Sequence, residues 1–199
     1  MKTILITGGA GFIGSHTCIS LIKAGYKIVV ADSFINSCEK SLYRVCEICN
    51  FSLNEISNII KIFKVDIRDK DGLKNVFELS ESVGFKIYGV IHFAGLKSVE
   101  NSLEEPLTYW EVNVIGTINL ISVMKKYKCH NIVFSSSATV YGSKHKNLIK
   151  EDDDLKPINP YGNSKLVVER FLNDLSLYEK NKWRIVILRY FNPIGAHPS

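Results

Sequence analysis

The sequence is short of the features that would mark an unusual protein. Five prolines and 13 glycines among 199 residues are too few for a collagen-like, low-complexity or disordered chain. Lys, Asp, Asn or Gly interrupts each apolar run well short of the about 20 residues that a membrane helix needs. The opening Met1-Lys2-Thr3-Ile4-Leu5-Ile6 meets Gly8-Gly9 too soon to read as a secretion signal. Five cysteines at irregular spacing, 18, 38, 46, 49 and 129, form a poor disulfide framework, so a cytoplasmic protein is expected. Cys46-Glu47-Ile48-Cys49 lacks the second pair of ligands that a zinc site requires; no metal is expected, and the two thiols read as helix residues. The 25 basic and 20 acidic residues leave +5, spread along the chain, which demands neither nucleic acid nor a membrane as partner.

What is present is a hydrophobic fraction of 46%, enough for one sizeable core. Short β-branched runs at Thr3–Thr7, Lys27–Ala31, Ile59–Val65, Ile87–His92, Asn131–Ser135 and Arg184–Arg189 alternate with stretches of helical period near 12–24, 38–48, 70–82, 107–127 and 161–179. Such alternation predicts an α/β protein with a doubly wound, Rossmann-type parallel sheet covered by helices on both faces. Residues 49–60 read as a longer connection. The polar stretch Lys144–Lys156, with Lys144, His145, Lys146 and Lys150 beside Glu151-Asp152-Asp153-Asp154, reads as a surface loop.

Thr7-Gly8-Gly9-Ala10-Gly11-Phe12-Ile13-Gly14 follows the first strand and opens the first helix. Glycines at 8, 11 and 14 allow a tight turn and close approach of the backbone to a pyrophosphate, and the helix N-terminus offers free N–H groups. Asp32 follows the second strand, where a carboxylate accepts from adenosine ribose hydroxyls and repels a 2′-phosphate. That selects NAD over NADP.

Tyr161-Gly162-Asn163-Ser164-Lys165 sets a phenol and an ammonium one turn apart on a helix, which Asn159-Pro160 is suited to start. A phenol works as a base at neutral pH only if its pKa falls by about three units, or about 4 kcal/mol. A cation at roughly 5 Å in a dielectric of about 20 supplies about 3 kcal/mol of that. Ser135-Ser136-Ser137-Ala138-Thr139-Val140-Tyr141-Gly142 lies at the end of the fifth strand, so a serine hydroxyl there can reach a substrate hydroxyl and relay its proton to Tyr161.

These residues, with Asp66-Ile67-Arg68, His92-Phe93-Ala94-Gly95-Leu96-Lys97, Asn113, Ser135–Gly142 and Leu188-Arg189-Tyr190-Phe191-Asn192-Pro193, resemble the extended short-chain dehydrogenase/reductases that act on nucleotide sugars. The resemblance runs from Met1 to Ser199. Ala138-Thr139 stands where related dehydratases carry an acidic pair, which favours the epimerase branch. The resemblance implies NAD-dependent epimerisation of a UDP-sugar at C4, interconverting UDP-galactose and UDP-glucose through a transient 4-keto sugar. It makes Tyr161 the base, has Lys165 hold the nicotinamide ribose and depress the Tyr161 pKa, and puts Ser137 at the 4-hydroxyl. It places Gly8, Gly11, Phe12, Ile13, Gly14, Asp32, Asn36 and Ser37 at the adenosine and pyrophosphate, Asp66 and Ile67 beside adenine, and Phe93, Ala94, Lys97 and Asn113 along the dinucleotide. Tyr190 would pack near nicotinamide, and Asn192, like Ser137 and Tyr161, would reach substrate. Residues 1–190 are then the NAD-binding domain and 191–199 the start of a truncated substrate lobe. A homodimer pairing the helices near 107–127 and 161–179 is implied as well. Two other outcomes remain open: another nucleotide-sugar enzyme of the same superfamily, and an NAD-binding module without turnover.

Overall fold

The β-branched runs form six strands of one parallel sheet: β1 (Thr3–Thr7), β2 (Lys27–Asp32), β3 (Ile60–Lys64), β4 (Ile87–His92), β5 (Asn131–Ser137) and β6 (Arg184–Tyr190). The computed structural model describes residues 1–143, 148–179 and 182–198. Strand order is β3-β2-β1-β4-β5-β6, and every pairing is parallel. The sheet grows one way from β1 and then restarts on its other side with β4. The crevice that ligands of such sheets use opens at that switch, outside the strands' carboxyl ends.

Both faces are covered, which is why the inner strands read as continuous apolar runs rather than alternating ones. On one face Leu5, Val29, Val90 and Phe134 pack against Leu73 and Phe77 of α4 (Lys70–Ser82), Leu120 and Met124 of α7 (Gly116–Lys126), and Leu172 of α8 (Pro160–Tyr178). On the other, Ile6, Ile28 and Val30 meet Cys18, Ile19 and Ile22 of α1 (Phe12–Lys23) and Leu42 and Val45 of α2 (Lys40–Ile48). Neighbouring residues Leu5 and Ile6 serve opposite faces, as the two-residue strand period requires. β6, an edge strand like β3, pairs with β5 alone, and it is less covered: Val186 is 50% exposed, with Leu188 and Phe191 also open.

Three expectations need correction. Residues 49–60 are not a plain connection, because α3 (Leu53–Ile59) occupies most of them, started by a capping box in which Ser52 and Glu55 bond each other's backbone. The strand that follows therefore begins at Ile60. The stretch near 107–127 is not one uniform helix. α5 (Val99–Glu104) and α6 (Pro106–Tyr109) precede it, and π-type turns over Trp110–Ile115 widen it before α7. The wider turns carry Asn113 into the interior, where it is 2% exposed.

Of the polar loop, Lys144, His145, Lys146 and Asn147 lie outside the described residues; Lys150, Glu151, Asp152 and Asp154 are exposed. Cys46 lies on α2 and Cys49 follows its last turn. Burial pushes both thiols up, and Cys18 beneath them to about 12, which keeps them in the thiol form. No helix among the described residues is long and apolar enough to cross a membrane.

Candidate active site

The turn from β1 into α1 is possible only for glycine at two points. Gly8 has φ +68, and a Cβ on it would meet the Ala94 amide at 2.7 Å, so nothing larger fits between the loop and the chain leaving β4. A Cβ on Gly14 would lie 2.3 Å from the Gly8 carbonyl oxygen. α1 begins at Gly11 with no side-chain cap and no acidic residue in its first turn. Its leading N–H groups are thus not satisfied by a side chain of their own helix, and they suit an anion. Asp32, 6% exposed, clamps this loop to β2. Its Oδ2 accepts the Ala10 N–H at 3.0 Å, while Oδ1 accepts the Phe34 N–H at 2.9 Å and the Ser37 hydroxyl at 2.8 Å. Ser41 donates to the Ala10 carbonyl at 2.8 Å from the other side. A carboxylate has about four acceptor positions, so these three bonds leave one for a ligand hydroxyl.

A cavity of about 590 Å³ runs from this loop across the sheet end. It brings together Gly8, Gly11, Phe12, Ile13, Gly14, Asp32, Asn36, Ser37, Asp66, Ile67, Phe93, Ala94, Lys97, Ser137, Tyr161, Lys165, Tyr190 and Asn192. Asp66 is held below the usual carboxylate range chiefly by hydrogen bonds from the Arg68 side chain. Asn113 is the exception among the expected contacts and does not line the cavity. Its amide accepts the Leu96 N–H at 2.8 Å and donates to the Leu96 carbonyl and the Ser164 hydroxyl, each at 3.0 Å. It braces the wall from behind, joining the loop after β4 to α8.

At the opposite end Asn159 caps α8, accepting the Gly162 N–H at 2.7 Å, and Pro160 forms its first turn. That cap fixes the helix phase that turns both Tyr161 and Lys165 toward the cavity. Tyr161 is only 8% exposed, and burial pushes its phenol above the usual value; the Ser137 side chain pulls it down, and Tyr109 adds a smaller upward push. The expected depression by Lys165 is not seen. Its ammonium lies 5.9 Å from the Tyr161 ring centroid and donates instead to the Ser135 carbonyl at 2.9 Å. Burial brings Lys165 down to about 8, with Glu169 pulling it back up.

Sequence reasoning assigned no role to several residues behind this wall. His92, 1% exposed, joins Thr7 (Nδ1 to Oγ1, 2.6 Å) and Thr117 (Nε2 to Oγ1, 2.9 Å). Thr117 gives its single hydroxyl proton to the Asn113 carbonyl at 2.6 Å, so it must accept from His92. That fixes the proton on Nε2 and leaves Nδ1 to accept from Thr7. Burial, and secondarily Lys165, pushes His92 down to about 3, so the ring is neutral. Glu169, also buried, takes two bonds from Arg189 Nε and one at 2.8 Å from Nη2, as well as the Ser136 hydroxyl. The i, i+4 spacing from Lys165 was the one signal in the sequence that could have drawn attention to Glu169; its ion-pair partner Arg189 lies 20 residues away.

The strand order, the glycine turn and a Tyr-x-x-x-Lys pair on one cavity define a Rossmann-type protein of the doubly wound class. The model of the NAD dependent epimerase/dehydratase family matches residues 4–199. The chain belongs to that family, and it is similar to the N-terminal part of UDP-glucose 4-epimerases. It is 47% identical over 196 residues to the UDP-glucose 4-epimerase of Bacillus subtilis, covering 98% of this chain and 54% of that one. Against UDP-glucose 4-epimerase 4 of Oryza sativa the identity is 46% over 198 residues, covering 100% and 51%. The crystal structure of UDP-glucose 4-epimerase from Bifidobacterium longum in complex with NAD+ and UDP superposes with a TM-score of 0.88 at 42% identity, covering 98% of this chain and 55% of that one. The chain thus spans about half the length of the curated relatives it matches.

Proposed function

We propose that the chain is the NAD-binding part of an enzyme that epimerises UDP-galactose and UDP-glucose at C4. The observation that carries this is the single cavity holding the glycine turn and Asp32 at one end and Ser137, Tyr161 and Lys165 at the other. The residues fit a dinucleotide: Gly8 and Gly14, where a Cβ would strike neighbouring backbone, let the turn close tightly over the cavity, and the uncapped α1 terminus suits a pyrophosphate. The α1 amides at Phe12, Ile13 and Gly14 would hold the pyrophosphate, Asp32 the adenosine ribose, Asp66 and Ile67 the adenine, and Lys165 the second ribose. Bound there, NAD supplies the hydride acceptor and donor for sugar C4 and a positive charge beside the phenol.

The chain's own residues handle the proton. Tyr161 takes it from the 4-hydroxyl as the 4-keto sugar forms and returns it when the sugar presents its other face. Ser137 assists at that oxygen, and Asn192, on the segment leaving β6, contacts the sugar nucleotide. Residues 1–190 form the cofactor domain, and 191–199 begin the segment over the substrate. Self-association through the helical stretch 107–127 and α8 accords with the exposed Leu107, Trp110, Ile115 and Ile118 on the first and Leu177 and Tyr178 on the second.

The purified chain, loaded with NAD and given UDP-galactose, tests this. One NAD per chain and formation of UDP-glucose are expected. NAD without conversion favours the cofactor module, and failure to hold NAD overturns the proposal.

A further inference from the structure

A serine hydroxyl has one proton to give and two lone pairs to fill. At Ser137 a single residue fills both: the Thr139 N–H donates to Ser137 Oγ at 3.3 Å and the Thr139 hydroxyl at 3.0 Å. The backbone enforces this, because Ser137 is extended (φ −145, ψ 147) and caps the tight turn Ala138–Tyr141, which brings Thr139 back over it. That turn is itself closed by the Gly142 N–H on the Thr139 carbonyl at 3.2 Å. The proton of Ser137 is then all it has to offer, and Ser137, Thr139 and Tyr161 line the same cavity.

We infer that Thr139 is a positioning residue, which holds Ser137 as a donor toward the Tyr161 oxygen and bars it from accepting a proton from the substrate. The inference rests on the function proposed above and sharpens it: the 4-hydroxyl proton passes straight to Tyr161, and Ser137 steadies the phenolate rather than relaying. The downward pull of Ser137 on the phenol is the effect that a donor has on an acid whose charged form it bonds. The other titratable groups facing the phenol are Tyr109 from α6, edge-on with ring centroids 6.4 Å apart, and Lys165 from the same helix.

The test reads the ionisation of Tyr161 directly, by NMR of ring-labelled tyrosine assigned with Tyr161→Phe, in the full chain with and without saturating NAD. Thr139→Val removes the hydroxyl donor and keeps the N–H. A lone pair of Ser137 is then free to accept from the neutral phenol, and the Tyr161 ionisation constant falls about tenfold. Thr139→Ser restores the wild-type value, and in a Ser137→Ala background Thr139→Val has no further effect. Thr139→Ala, which makes the same deletion with a smaller side chain, behaves as Thr139→Val. The inference is overturned if Thr139→Val and wild type titrate together, if Thr139→Ser shifts as far as Thr139→Val, or if the shift survives without Ser137. A chain that shows the expected shifts yet holds no NAD overturns the proposed function and leaves this assignment standing.

Discussion

The two ends of the cavity are made of different material. At the phosphate end the working groups are backbone N–H groups, and the sequence contributes chiefly by leaving side chains out: Gly8 and Gly14 are defined by the 2.7 Å and 2.3 Å contacts that a Cβ would make. At the reactive end the working groups are three side chains, whose protons and charges are set by Ser135, Thr139, Tyr109 and burial. The glycine turn at the first end is damaged by adding atoms, and Asp32 is the one side chain whose three bonds clamp it. The second end can be damaged by removing an atom.

The largest expected effect breaks the reactive end alone. Tyr161→Phe deletes one oxygen, and turnover of UDP-galactose falls about 10²- to 10⁴-fold, while NAD affinity by calorimetry stays at the wild-type value. Turnover that survives the deletion sinks the assignment of the base. The next breaks the phosphate end. Gly14→Ala drives a methyl into the backbone of Gly8 and Gly9, which destabilises the chain by about 1–3 kcal/mol and lowers NAD affinity. The same change at Gly11, whose Cβ would stand 3.3 Å from the Gly8 oxygen, has a smaller effect on melting temperature and affinity. Equal effects at the two positions would show that crowding at Gly14 is not what the loop depends on.

The smallest effect sharpens the comparison by probing what lies between the ends. His92 joins Thr7, at the root of the glycine turn, to Thr117, and through Asn113 and Ser164 to the first turn of α8. Folded, its pKa is about 3, against 6.5 for a free imidazole. Between those values the unfolded chain holds the extra proton, so stability falls as pH is lowered through that window. The contribution of this group is up to about 1.4 kcal/mol per pH unit. Urea titrations from pH 7 down to pH 4 should show a shallower decline in His92→Gln than in wild type, and parallel lines would mean that the ring is not held neutral.

The same contrast explains what was legible in the sequence. Glycine spacing, strand runs and the Asn159-Pro160 start of α8 are local signals, and the structure places them within a residue or two. α3 also had its signal, the Ser52 and Glu55 capping box, although the segment read as a connection. The direction of Lys165 toward the Ser135 carbonyl and the retreat of Asn113 behind the wall had none. Each depends on a partner brought in from another element, 30 residues away for Lys165 and 51 for the Ser164 hydroxyl that Asn113 reaches. A motif names the residues that meet, but the acceptor each one finds is settled by packing.

The central position of β1 has a consequence in time. Once β1 has left the ribosome it can pair with β2 almost at once, but its other edge waits for β4, and Thr7 stands 85 residues ahead of the His92 it bonds. At about 5–20 residues per second that interval is roughly 4–17 s. Through it the nascent chain carries an open strand edge, until synthesis of β4 supplies the strand and the histidine that close it together.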